Sequence, residues 1–149
     1  MSIGEFCNRT VIVAERQCSV LEASRLMRQH HVGALVIVVF DAGVNKPVGL
    51  VTDRDLVVEV IAAQLDPDAV RIGEIMVEPL CIVHERDGVF ETMRLMREHG
   101  VRRVPVVDAR GGLQGIVAID DLIAVLSDEM SEFARLIAHE QAIEFRKRK

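Results

Sequence analysis

The residues best suited to chemistry stand together in the stretch Gly49-Leu50-Val51-Thr52-Asp53-Arg54-Asp55. An apolar run that ends at Thr52 and gives way to a helix leaves free backbone N–H groups at the helix start. Those donors and the helix dipole favour an anion such as phosphate. Asp55 adds a carboxylate that can accept both hydroxyls of a vicinal diol such as ribose. Gly49 lets a ligand or another strand approach closely. Arg54, Arg102 and Arg103 offer guanidinium groups of the kind that grip phosphate. Each feature also has a plainer reading. Thr52-x-x-Asp55 before an apolar run is a capping box, and adjacent exposed arginines are commonly solvated ion-pair partners.

The elements that must position these residues come in two copies. Ile3-Gly4-Glu5 recurs 69 positions on as Ile72-Gly73-Glu74, and Arg25-Leu26-Met27-Arg28 recurs as Arg94-Leu95-Met96-Arg97. The same offset maps Val20 onto Val89, Glu22 onto Glu91, His30 onto His99 and Val32 onto Val101. After a loop three residues shorter in the second copy, Gly49, Val51, Asp55 and Leu56 fall on Gly115, Val117, Asp121 and Leu122. Self-similarity at a fixed period marks a repeated fold unit.

Each copy reads as β-α-β-β-α. A short apolar strand (residues 11–13, 81–83) precedes an amphipathic helix with Val20, Ala23, Leu26 and Met27, or Val89, Met93 and Met96, on one side. The helices stop near His30-His31 and His99-Gly100, where cations and Gly suit the helix end. Continuous apolar strands follow at residues 34–40 and 104–107, a pattern that predicts burial on both faces. Turns at residues 41–47 and 108–112 lead to strands at 48–51 and 114–117, and second helices begin at Asp53 and Ile119. Residues 64–71 form a linker or the end of the second helix. Neither copy can bury its sheet alone, so the two sheets are expected to pack together. The expected division is residues 1–69, 70–127 and a C-terminal helical extension over 128–149.

Composition narrows the function. Net charge is -5, so wide contact with a nucleic-acid backbone is not expected, and any anion site must be a local pocket. Half the residues are hydrophobic while Trp and Tyr are absent, so Val, Ile, Leu, Met and Ala must build the core. The three cysteines (Cys7, Cys18, Cys81) form no CxxC pair, and Cys81 reads as a small core hydrophobe. Histidines 31, 84 and 139 share no ligand spacing, so no metal is expected. No Walker loop, nucleophile elbow or GxGxxG occurs. With no signal-like or membrane-length apolar run, a soluble, cytoplasmic protein is expected.

The stretch GLVTDRD (Gly49 to Asp55), its counterpart GIVAIDD (Gly115 to Asp121), GVRRVPVVD (Gly100 to Asp108) and the lead-in from Met76 to Pro79 together resemble a tandem pair of cystathionine-β-synthase (CBS) domains, up to about Ser127. The resemblance implies an adenine nucleotide or adenosyl ligand (AMP, ADP, ATP, S-adenosylmethionine) held between the repeats as a regulatory ligand rather than a required cofactor. The signature Asp would hold ribose, and the other repeat's first and second strands would line the base and meet the phosphates. Two unequal nucleotide sites follow. The first comprises Leu50, Val51, Thr52, Arg54, Asp55, Leu80, Cys81, Arg102 and Arg103. The second, weaker, comprises Val11, Ile12, Ala118 and Asp121. It lacks the Thr, and Gly33 and Ala34 stand where the other copy has Arg102 and Arg103.

From Asp120 to about Phe145 nothing breaks a helix, and Leu122, Leu126, Met130, Phe133 and Ile137 form one apolar stripe. It is expected to pack on its own domain or to support a homodimer. The basic end, Arg146 to Lys149, reads as a solvated tail. The expectation is therefore a non-enzymatic module signalling to a separate client protein. A ligand-free dimerisation scaffold and an S-adenosylmethionine or NAD sensor are the alternatives.

Overall fold

In the computed structural model, which describes residues 1–148, the two copies fold alike. A 3-10 turn (Ile3–Glu5) leads into β1 (Val13–Ala14), α1 (Val20–His30), β2 (Ala34–Asp41), β3 (Val44–Thr52) and α2 (Asp53–Asp55). The chain continues from α2 as a π-helix, Leu56–Ile61, with i→i+5 bonds such as Ala62 N–H to Val57 O (2.8 Å). The second copy runs through α3 (Ile72–Ile75), β4 (Val83–His84), α4 (Val89–His99), β5 (Arg103–Val107), β6 (Leu113–Ala118) and α5 (Ile119–Lys147). Each copy has a three-stranded sheet, ordered β1-β2-β3 and β4-β5-β6, with the first pair parallel and the second antiparallel. The mixed α/β class and the β-α-β-β-α order are those predicted.

Helix limits follow local chemistry. Ser19 caps α1: its hydroxyl accepts from the Glu22 N–H (3.1 Å), while the Glu22 carboxylate accepts from the Ser19 N–H (2.8 Å). The helix stops at His31, in the left-handed region at φ 53°. α4 stops at Gly100, φ 63°, where glycine carries no Cβ penalty.

Strand alternation builds three cores. Leu35 and Ile37 point inward with Val20, Ala23, Met27, Val51 and Val60. Val104, Val106 and Val117 do the same with Val89, Met96 and Leu122. Between the sheets, Val36, Val38 and Leu50 meet Val11, Ala34, Leu80, Leu113 and Ile116 in a seam. Two-faced burial holds only to Val38. Past a bulge at Ile37/Val38 the hairpin leaves the body, and Val39 and Phe40 are exposed. The turn is also tighter than the predicted 41–47. Only Ala42 and Gly43 turn, both at positive φ (50° and 80°), and β3 begins at Val44. Two-residue turns of this kind match strand twist; with Ala rather than Gly first, the sequence hides it.

The lead-in segments cross over. Ile3 and Cys7 are buried in the second copy's core, whereas Ile72 and Met76 are buried in the first copy's core. The crossing is pinned by matched backbone bonds: Asn8 N–H to Ile116 O (2.8 Å) and Val77 N–H to Leu50 O (2.9 Å). α5 packs on its domain through Leu122 and, partly, Leu126. From Ser127 on, every described residue of the helix is exposed, so the predicted stripe does not fold back onto its own copy. No described helix is long and apolar enough to cross a membrane.

Candidate ligand cleft at the seam

The two signature aspartates sit at equivalent junctions, each where the last strand of a copy turns into a helix. Thr52 is the N-cap of α2, extended at φ −113°, ψ 162°. Asp55 Oδ2 accepts from the Thr52 N–H (2.7 Å) and hydroxyl (2.9 Å), and that hydroxyl accepts from the Asp55 N–H (3.3 Å). The capping box is therefore present. In the second copy Asp121 Oδ2 accepts from the Ala118 N–H (2.8 Å). Ala118 has no hydroxyl to return, so α5 starts without a side-chain cap. The box is half closed there: the Ile119 N–H donates to Arg102 O (2.9 Å), and the Asp121 N–H has no side-chain acceptor at Ala118.

Asp121 opens onto a cleft of about 200 Å³ in the seam. Val11, Ile12 and Ile116 give it apolar walls, Gly33 and Ala34 a low floor, and Asn8 and Thr10 a polar edge. Arg103 also lines it. That placement departs from the expected grouping, in which Arg103 served the Asp55 set and the Asp121 set had no cation. The cause is cross-strand pairing: Arg103 lies opposite Ala118 in its own sheet. Arg102 instead lines a groove between α4 and α5, because successive residues of an extended chain point to opposite sides.

Of the remaining residues in the Asp55 set, Leu50 and Leu80 meet in the seam. Val51 is fully buried in the first core, and Cys81 packs half-buried against the second. Alternation along β3 separates Leu50 from Val51, while Leu80 and Cys81 lie ahead of β4 and face different clusters. Burial pushes the Cys81 thiol above its usual range, so it stays protonated and apolar in character. Arg54 is exposed, its N–H held by Asp53 Oδ1 (2.9 Å). The two aspartate sites share one seam: Ala34, which lines the Asp121 cleft, is the cross-strand partner of Thr52. Asn8, Thr10 and Val32 are lining residues that the sequence did not point to. Gly33 and Ala34 stood out in the sequence only as missing arginines, yet their small size is what leaves the cleft open.

Gly49 and Gly115 have a defined purpose. A Cβ at Gly49 would lie 2.3 Å from Met76 Sδ, and one at Gly115 would lie 2.6 Å from Cys7 Sγ and 2.9 Å from Asn8 O. Each signature glycine seats the other copy's lead-in segment. Among the described residues, no three His, Cys, Asp or Glu side chains converge as a metal site.

Comparison with known proteins identifies the repeated unit. The CBS domain family model matches residues 3–62 and 72–128. An uncharacterised protein of Methanopyrus kandleri is 36% identical over 140 residues, covering 89% of this chain and 70% of that one. A crystal structure of Hypoxic Response Protein I with two coordinated zinc ions is 32% identical, with a TM-score of 0.72, and the match covers 83% of this chain and 98% of that one. A CBS domain pair in complex with 5′-methylthioadenosine and S-adenosyl-L-methionine is 26% identical, with a TM-score of 0.74, over 87% of this chain and 98% of that one. With the duplicated unit, the paired sheets and both signature junctions in place, the chain belongs to the CBS-domain family and carries two CBS domains in tandem.

Proposed function

We propose that this chain is a non-enzymatic regulatory module that takes an adenine nucleotide or related adenosyl ligand in the Asp121 cleft and signals to a separate client protein. The observation that carries this reading is that Asp121 and Arg103 line one cleft with apolar walls of Val11, Ile12 and Ile116 and a polar edge of Asn8 and Thr10. The Asp121 carboxylate suits the ribose diol, Val11, Ile12 and Ile116 suit the base, and Arg103 with the uncapped start of α5 suits a phosphate or carboxylate. At about 200 Å³ the cleft holds a nucleoside, with the rest of the ligand at its mouth. The Asp55 site is the subsidiary one in this reading, because Asp55 Oδ2 is already engaged twice by Thr52. The non-enzymatic assignment rests on the cleft's chemistry, a diol acceptor and a fixed cation without a paired nucleophile and base. The CBS pair solved with two adenosyl ligands supports the ligand class.

The test is titration calorimetry with AMP, ATP and S-adenosylmethionine against four variants. Asp121→Ala is expected to abolish binding at the main site, and Asp55→Ala to leave it. Arg103→Ala should weaken a phosphate-bearing ligand by roughly tenfold or more, since hydrogen bonds to charged groups are worth about 1.5–3 kcal/mol. Arg102→Ala should do nothing. No heat with any of the three ligands, or equal losses from Asp55→Ala and Asp121→Ala, would reject the assignment. The former result would leave a ligand-free scaffold as the reading.

A further inference from the structure

We infer that the Asp121 cleft selects a 6-aminopurine over a 6-oxopurine, and that Asp108 sets this preference by fixing which way the Gln114 amide faces. The inference rests on the nucleotide reading of the cleft and adds how its base is chosen. Beside the cleft, along the same seam, lies a second cavity of about 220 Å³ lined by Arg9, Val11, Val13, Asn45, Leu113 and Gln114. Val11 lines both cavities. So does β6, with Ile116 and Ala118 at the Asp121 end and Leu113 and Gln114 at the other. Gln114 lies about 13 Å along β6 from Ala118, whose N–H is held by Asp121. With its ribose at Asp121 and its rings on Val11 and Ile116, a purine nucleoside turns the edge farthest from the sugar, C6 and N1, toward Gln114 and Arg9.

Hydrogen-bond polarity at that end is fixed by the neighbours. Asp108 Oδ1 is taken by the Arg110 and Gly112 N–H groups, and Asp108 Oδ2 accepts from Gln114 Nε2 (3.0 Å). A carboxylate only accepts, so the amide gives it the NH2 group and Gln114 Oε1 is left as an acceptor. Arg9, anchored by a bond from Nη2 to Gly4 O (2.9 Å), offers only donors. An acceptor beside a donor matches the exocyclic amine and N1 of adenine. It opposes the carbonyl and N1–H of a 6-oxopurine at both positions. The β5/β6 register passes from Val106 opposite Gly115 to Val107 opposite Leu113, so Gln114 is the extra residue of a bulge, a device that re-aims a side chain. By the repeat offsets the sister copy has Val48 in place of Gln114 and Glu78 in place of Arg9, so the Asp55 site does not share this pattern. Asp108 acts through Gln114 and is a positioning residue. In Asp108→Asn the two backbone N–H groups hold the amide oxygen where Oδ1 was, which puts the new NH2 at the place of Oδ2. Gln114 then answers with Oε1 and turns its own NH2 to the base.

The test is titration calorimetry of the full chain with AMP and with inosine 5′-monophosphate, with circular dichroism to confirm that each variant is folded. The wild-type chain is expected to bind AMP roughly tenfold or more tightly than the inosine nucleotide, because a buried hydrogen-bonding group left facing its like costs at least that much. Gln114→Val, which installs the sister copy's residue, should bring the two affinities together. Asp108→Asn should weaken AMP and strengthen the inosine nucleotide, an opposite movement that a loss of hairpin stability would not produce. Equal wild-type affinities, a wild-type preference for the inosine nucleotide, or an Asp108→Asn chain that changes both affinities alike would each overturn the inference and leave the cleft assignment standing. A wild-type chain that binds neither nucleotide would overturn both.

Discussion

Asp108 holds the second hairpin much as Asp121 holds a helix start. Its Oδ1 accepts from the Arg110 N–H (2.8 Å) and the Gly112 N–H (2.9 Å), and its Oδ2 from Gln114 Nε2 (3.0 Å). The Gly112 and Arg110 N–H bonds keep its carboxyl below the usual range near 3.8. A depressed folded-state value means that the contribution is fully present above pH 3.8 and is lost as pH falls through the folded value. Asp108→Ala should therefore lower the melting temperature at neutral pH, and its deficit relative to wild type should shrink on acidification below pH 3.8, read by circular dichroism melts. Thr92 makes the opposite case. It occupies the position of Ala23 in the sister copy and is buried, and its Oγ1 finds no partner among the described residues. Thr92→Val keeps the shape and removes a desolvated hydroxyl. It should raise stability by about 1 kcal/mol in denaturant titration. The repeat offset makes the Thr-for-Ala exchange visible in the sequence. Its lack of a partner is not visible, because that depends on the whole shell around the side chain.

The elements that the sequence shows most plainly are those set by local rules. α1 was readable from Val20, Ala23, Leu26 and Met27 on one side, and the structure has it from Val20 to His30, with the Ser19–Glu22 capping box as an addition that the sequence reading did not contain. Ser19→Ala should cost about 1 kcal/mol, the usual value for a lost N-cap, seen as a lower denaturation midpoint. β2 and β3 came out longer than predicted, since Ala42 at positive φ carries no turn signature and Pro47 looks like a breaker. The bulge opposite it accommodates the missing N–H. For the cleft, the sequence revealed residue types but not sides. Arg102 and Arg103 look interchangeable in a string of letters, yet a one-residue step in a strand sends one to the α4/α5 groove and the other to the seam. α5 joins these regions, because its first two turns hold Asp121 in the cleft and Ile123 in the groove.

At the scale of the molecule, the repeat predicted two similar halves but not that they are laced together. Ile3 lies fully buried in the second core and Ile72 in the first. Long-range contacts of this kind leave no periodic trace, because an apolar residue ahead of a strand reads the same whichever core receives it. Ile3→Ala should destabilise the whole chain by about 2–5 kcal/mol. Unfolding should remain a single transition followed by circular dichroism, with no separate melting of the first half. The glycines at 49 and 115 extend the consequence. Each half carries both a socket and the plug for its sister's socket, and only the exposed stretch around Gln64 to Ala69 ties them covalently. Severing the peptide there would leave two fragments, each still bearing the complementary hook, and reassembly from separate polypeptides is the behaviour such an interlock dictates.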